Sequence, residues 1–341
     1  MMSAMRAQRV VVTGATGFLG GAVARRLRAT RPDVEVLALG RDTARGAALT
    51  ADGIDFLSVD LCDATTLRGA IEGADAVVHA AALSSPWGPR AAFVAANIDV
   101  TANVAHACVD AGVRRLVHIS TPGIYHDGRP HLGIREDDPL PARAVNDYAS
   151  TKRIAEQRVR DLTEGSGVSA LILRPRAIFG PGDTSLLPRI AEALRRHRLP
   201  RIGDGKCTVD LTYIDNAVDA TLLALDARAT EHGRAYNISN GEPVRIWDVI
   251  DRLAVALGEP LPTRRIAAAP LRVFAGVLET IHRIAMPQRE PALLRYGVDL
   301  LSVDMTLDIS RARSELGYAP RIGIDDALAR TFDALAAERR A

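Results

Sequence analysis

The stretch VVVTGATGFLG, residues 10–20, decides the fold. Its three valines show no polar alternation, as expected of a parallel-sheet strand covered on both faces. The turn TGATG then delivers the chain into a helical pattern from Phe18. Gly14, Gly17 and Gly20 stand at GxxGxxG spacing. Between a strand and a helix, such glycines let backbone N–H groups approach a pyrophosphate at the positive end of the helix. Thr16, Phe18 and Leu19 belong to the same turn and count with it as dinucleotide-binding candidates. A tight turn with close helix packing would need the same glycines. Position at the first strand-to-helix junction favours the dinucleotide.

Outward from this turn, β-branched runs alternate with helical patterns, the form of repeated βαβ units. Strands are predicted at residues 9–13, 34–39, 54–59, 76–80, 115–120 and 169–174, and long helices at 90–111 and 145–163. After Arg174 proline and glycine cluster, at Pro175, Pro181 and Gly182, again within residues 200–205 and again within 259–262. A second lobe is expected there, with helices near 186–197, 247–257 and 271–284, while a helix at 214–227 and a strand at 235–238 return to the first lobe. The expected fold class is α/β, a doubly wound parallel Rossmann sheet with a smaller, discontinuous C-terminal substrate lobe. Residues 1–175 with about 206–239 form the first domain, and about 176–205 with 240–341 the second.

The chain has 341 residues, 48% hydrophobic and 25% charged, which excludes a disordered or disulfide-scaffold protein. Its net charge of +2 leaves no basic footprint for nucleic acid. Only two of the 43 basic residues are lysines, Lys152 and Lys206, so a well-placed lysine is informative. Three cysteines without ligand spacing point to free thiols in a reducing compartment, and the cytoplasm is the expected address. The eight histidines show no metal-ligand pattern, and no metal is expected. The longest lipophilic stretch, residues 266–286, is interrupted by Arg272, Glu279, His282 and Arg283, so no membrane span is expected.

Two short strings carry chemistry. The second strand ends in LGRD, without the acid that NAD-selective proteins usually present to the ribose hydroxyls. Arg41 there can pair with a 2′-phosphate, although arginine is common in this chain, and Asp42 can cap the next helix. NADP(H) is therefore expected ahead of NAD(H). YASTK places Tyr148 and Lys152 four residues apart, on one face of a helix. A neighbouring ammonium favours tyrosinate, which suits a general acid or base near neutrality.

With HAAA at 79–82, ISTPGIY at 119–125 and LRPRAIFGPGD at 173–183 added, the chain resembles the extended short-chain dehydrogenase/reductases over nearly its whole length. Within them it is most similar to the 3β-hydroxysteroid dehydrogenase-like branch. The resemblance implies an oxidoreductase with Thr121 completing the catalytic group and Ser120 as the near alternative. It also places Asp60 and Leu61 at the adenine, Ala80 and Ala81 on the ribose side and Pro175 at the nicotinamide. The implied reaction interconverts a ketone and a secondary alcohol on a lipophilic substrate, a 3-keto or 3-hydroxy acid such as a 2-alkyl-3-oxoalkanoate. Sterol dehydrogenases and NAD-dependent sugar-nucleotide epimerases are the rivals, and a non-catalytic protein on the same fold is a third. Dehydratases of the superfamily carry Asp-Glu after the catalytic Thr, where this chain has Pro122 and Gly123. A homodimer is a further expectation.

Three features bear on the substrate. Trp87 in SSPWG can wall an apolar ligand or anchor packing. Arg174 and Arg176 can hold a carboxylate, but in an arginine-rich chain solvated faces are the better expectation. Apolar residues at 271, 274, 277, 278 and 281 share one helix face, so Phe274 is expected to line a tunnel for an alkyl chain or to pack in the lobe's core.

Overall fold

The glycine turn lies at the middle of a seven-stranded sheet. In the computed structural model, residues 8–227 and 232–338 are described. The sheet strands are β1 (Arg9–Thr13), β2 (Glu35–Gly40), β3 (Asp55–Ser58), β4 (Ala76–His79), β5 (Arg115–Ile119), β6 (Ser169–Pro175) and β7 (Arg234–Ile238), in the order β7-β6-β5-β4-β1-β2-β3. Every pairing is parallel. The order reverses between β1 and β4, which opens a crevice at the carboxyl ends of the strands, where ligands bind in such sheets.

Both faces of the sheet are apolar because successive side chains point to opposite sides. Val10 and Val12 pack with Val23 and Leu27 of the helix Phe18–Thr30, and Val11 packs with Val77, Leu116 and Val104 on the other side. The continuous helical run Arg90–Asp110 has a mean hydropathy of 1.3 and is long and apolar enough to cross a membrane by length and composition alone. It also does core work: Val104, Ala105 and Cys108 are buried against the sheet beside Val159 of the helix Asp147–Thr163.

The second lobe departs from its expected boundaries. Its four-stranded sheet joins Val244–Arg245, Thr208–Val209, Met305–Leu307 and His131–Ile134, the last drawn from the first half of the chain. Thr208–Val209 also belongs there and not to the first lobe. One apolar cluster runs from Val10 and Leu19 through Phe179 and Ile214 to Trp247 and Leu328, so the lobes share a core. The three cysteines are free, Cys62 exposed and Cys108 and Cys207 buried.

Candidate active site

Gly14 takes φ +68°, and a Cβ there would meet the backbone of Ala81 at 2.6 Å. The turn therefore lies against Ala80 and Ala81 at the end of β4, and only glycine fits. A Cβ on Gly20 would stand 2.4 Å from the Gly14 carbonyl oxygen. The helix Phe18–Thr30 starts from Gly17 with no side-chain cap and no acid in its first turn, which leaves its N–H groups open to an anion. This cradle fits a dinucleotide pyrophosphate.

At the tip of β2, Asp42 caps the helix Thr43–Ala51 by accepting from the Arg45 N–H at 3.0 Å. Arg41 is exposed and carries no ion pair among the described residues. Burial raises the pKa of the Cys62 thiol, which follows Asp60 and Leu61, and the Arg41 charge opposes that rise. Leu61 is buried, and Asp60 accepts from the Cys62 N–H at 3.0 Å.

Asn146 caps the helix Asp147–Thr163, so Tyr148 sits in its first turn and Lys152 one turn on. The Lys152 ammonium is 1% exposed and donates to the Ile119 carbonyl at 2.7 Å and to His118 Nε2 at 3.2 Å. Burial pulls its pKa down to about 8, against the attraction of Glu156. Burial first, then Lys152, holds His118 neutral, well below its ordinary value. Beneath it His79 bonds Thr13 Oγ1 at 2.8 Å and Thr101 Oγ1 at 3.0 Å, its ring 5.2 Å from that of His118.

The Tyr148 phenol is pushed above its ordinary value by burial and then by Tyr296, while the Thr121 hydroxyl pulls it back. Lys152 is expected to favour the tyrosinate of a general acid or base; burial is the largest influence on the Tyr148 phenol and raises it, and the ammonium itself bonds Ile119 and His118. Thr121 also accepts from the Gly123 N–H at 3.1 Å, which fixes its hydroxyl at the start of the turn Pro122–Tyr125.

Ser120 is corrected. Its hydroxyl donates to Glu156 Oε1 at 2.6 Å, while the hydroxyl that bonds Tyr148 is that of Thr121. Glu156 is 2% exposed and receives two bonds from Arg174, at 2.8 and 2.6 Å. Burial pushes this carboxyl up, but the Arg174 charge and bonds and the Ser120 bond outweigh it and leave the pKa low. The solvated-face expectation for Arg174 and Arg176 fails, since each is 4% exposed. Arg174 is structural, whereas Arg176 follows Pro175 at the end of β6, has no ion pair among the described residues and leaves Nε unpartnered.

Trp87 is buried as a packing anchor: Nε1 donates to the Pro287 carbonyl at 3.1 Å and Arg283 lies over the ring at 4.9 Å. Phe274 is 55% exposed, so it lines neither a tunnel nor the core. The inner side of its helix, Ala268–Ala285, is carried by Leu271 and Ala275.

Three contributors were missed in the sequence. Tyr296, from the helix Arg295–Leu300, acts electrostatically on the Tyr148 phenol, and the ring of His126 stands 5.7 Å from that of Tyr296 with Nε2 3.1 Å from Asp299. Asn97, in the π-helical segment Val94–Asp99, accepts from the Leu83 N–H at 2.7 Å and donates to Thr151 at 3.0 Å, tying the loop after β4 to the Tyr148 helix. No local pattern marks these residues. The hydrogen bonds that hold them span 14 residues for Asn97 with Leu83 and 173 for His126 with Asp299.

A doubly wound sheet, an open glycine turn and a Tyr–Lys–Thr group at its carboxyl edge define a nicotinamide-dinucleotide-dependent oxidoreductase. The chain belongs to the NAD dependent epimerase/dehydratase family, whose model matches residues 10–239. It is 36% identical to the 2-alkyl-3-oxoalkanoate reductase of Stenotrophomonas maltophilia, over 94% of this chain and 98% of that protein. It is 32% identical to 3beta-hydroxysteroid-dehydrogenase/decarboxylase isoform 1 of Arabidopsis thaliana, over 84% and 68%. Among solved structures, a dTDP-glucose 4,6-dehydratase from Streptomyces venezuelae with NAD bound superposes with a TM-score of 0.78 at 27% identity, covering 97% and 98%.

Proposed function

We propose that this protein is an NADP(H)-dependent reductase that interconverts a ketone and a secondary alcohol on a lipophilic substrate, a 3-keto or 3-hydroxy acid of the 2-alkyl-3-oxoalkanoate kind. The observation that carries the reading is the Tyr148 phenol held beside the Thr121 hydroxyl, one turn before the buried Lys152 ammonium. Because burial keeps Tyr148 protonated, it acts as general acid: it gives its proton to the substrate oxygen as negative charge builds there. Thr121 donates to the same oxygen, and the Lys152 charge stabilises the phenolate left behind. The bound nicotinamide supplies the hydride in reduction and accepts it in the reverse direction. Arg176, a buried guanidinium without an ion pair among the described residues, takes the substrate carboxylate.

The relative from S. maltophilia supports the keto acid, and the plant relative supports a sterol as second reading. Arg41 and the absence of an acid at the β2 tip support NADP(H). The test is oxidation of NADPH and NADH by the purified protein with long-chain 2-alkyl-3-keto acids, 3-ketosteroids and UDP-sugars. NADPH-dependent turnover of the keto acids is expected. Arg41→Ala should raise the KM for NADPH about tenfold and leave NADH little changed, since a charge-assisted bond contributes roughly 1.5–3 kcal/mol. Co-purified NAD with turnover of a UDP-sugar and no added reductant would replace this reading with an epimerase.

A further inference from the structure

The helix Ala268–Ala285 is apolar on two opposite sides. Inward it presents Leu271 and Ala275, which pack against the shared core. Outward it presents Val273, Phe274, Val277, Ile281 and Ile284, which are 71%, 55%, 52%, 50% and 82% exposed. At 100° per residue these five fall within about a 100° stripe. Six of the eleven large apolar side chains left exposed among the described residues lie between Val273 and Met286. Single exposed apolar residues are ordinary, but a continuous stripe along an 18-residue helix is not.

Charge says what covers it. Residues 261–289 hold five arginines and one acid, Glu279, in a chain whose net charge is only +2. Arg295 takes that acid through Nε at 2.7 Å. Arg264 and Arg265, just before the helix, and Arg289, just after it, are exposed and have no ion pair among the described residues. An apolar stripe bracketed at both ends by free cations matches an anionic lipid surface: hydrocarbon enters the acyl boundary while guanidinium groups meet phosphates. The helix also spans the substrate side of the molecule. Arg272 near its start pairs with Asp299 at 2.8 Å, the partner of His126, and Arg283 near its end pairs with Asp147 at 3.0 Å, beside Tyr148.

We infer that the outer face of Ala268–Ala285 is a docking surface for anionic membranes, on which the protein lies with this helix in the lipid interface. The inference does not depend on which ketone is reduced.

The experiment is flotation of the full chain with phosphatidylcholine vesicles, with and without phosphatidylglycerol, together with sedimentation of the free protein. The wild type should float with the anionic vesicles at least fivefold more than with neutral ones. Val277→Ser with Ile284→Ser should lose most of that binding, with an unchanged unfolding midpoint because both side chains already face water. Arg264→Gln with Arg265→Gln and Arg289→Gln should keep the fold and make binding collapse at lower salt. Three results would each overturn the inference: no flotation of the wild type, equal flotation of the serine variant, or a wild-type dimer that the serine pair turns into monomer, which would assign the face to a second copy.

Discussion

Beneath Tyr148 the molecule buries charge, and along Ala268–Ala285 it exposes hydrocarbon. In the first region Lys152, Glu156 and Arg174 are 1%, 2% and 4% exposed; in the second, Val273 and Ile284 are 71% and 82% exposed. The buried charges satisfy one another: Ser120 and Arg174 bond Glu156, while Ile119 and His118 take Lys152. Among the described residues nothing covers the exposed apolar side chains. Burying charge is costly unless it is paired, so the floor explains itself from within. The helix does not, and its explanation lies outside the chain.

Breaking the floor should have the largest effect. Glu156→Gln removes the carboxylate and leaves the Arg174 guanidinium charged and buried, so urea unfolding should show a loss of roughly 3–5 kcal/mol. A loss below about 1 kcal/mol would mean that water already reaches this ion pair. At the rim of the floor, Tyr148→Phe keeps the ring and removes the donor. Turnover should fall by roughly two orders of magnitude or more while cofactor binding, read by fluorescence titration, survives. Near-normal turnover would end the proposed mechanism.

Next comes the pH dependence of Lys152. Its pKa of about 8 means the ammonium is lost as pH rises through that value, so turnover should decline on the alkaline side with a midpoint near 8. His118 accepts from Nζ and favours the charged form, so His118→Phe should move the midpoint to lower pH and His118→Gln should move it less. Unchanged profiles would detach His118 from Lys152. The same burial makes the unfolded chain bind more protons than the folded one between about pH 8 and the ordinary lysine value. This group's contribution to stability therefore rises with pH across that window.

The smallest effect is expected on the helix. Phe274→Ser should change stability by no more than about 0.5 kcal/mol, because the ring is already half in water. A loss of roughly 3–5 kcal/mol would instead show that the ring is packed as core.

Some features were legible in the sequence because their signals are local. The glycine turn, the parallel strands, the Asp42 cap and the i, i+4 placement of Tyr148 and Lys152 each depend on a few neighbouring residues and on backbone geometry that those residues alone restrict. Tertiary structure decided the rest. Ser120 and Thr121 are adjacent hydroxyls, and only the arrival of Glu156 from the next helix diverts one of them from Tyr148. Arg174 and Arg176 look alike in the string RPR, yet Arg174 is ion-paired with buried Glu156, while Arg176 has no ion pair among the described residues and only its charge acts on buried Asp210. Tyr296 and His126 reach the site only when the second lobe folds across the sheet. In Ala268–Ala285, apolar residues occupy both sides, so periodicity cannot choose the buried one. Only packing of Leu271 and Ala275 against the shared core turns Phe274 toward solvent.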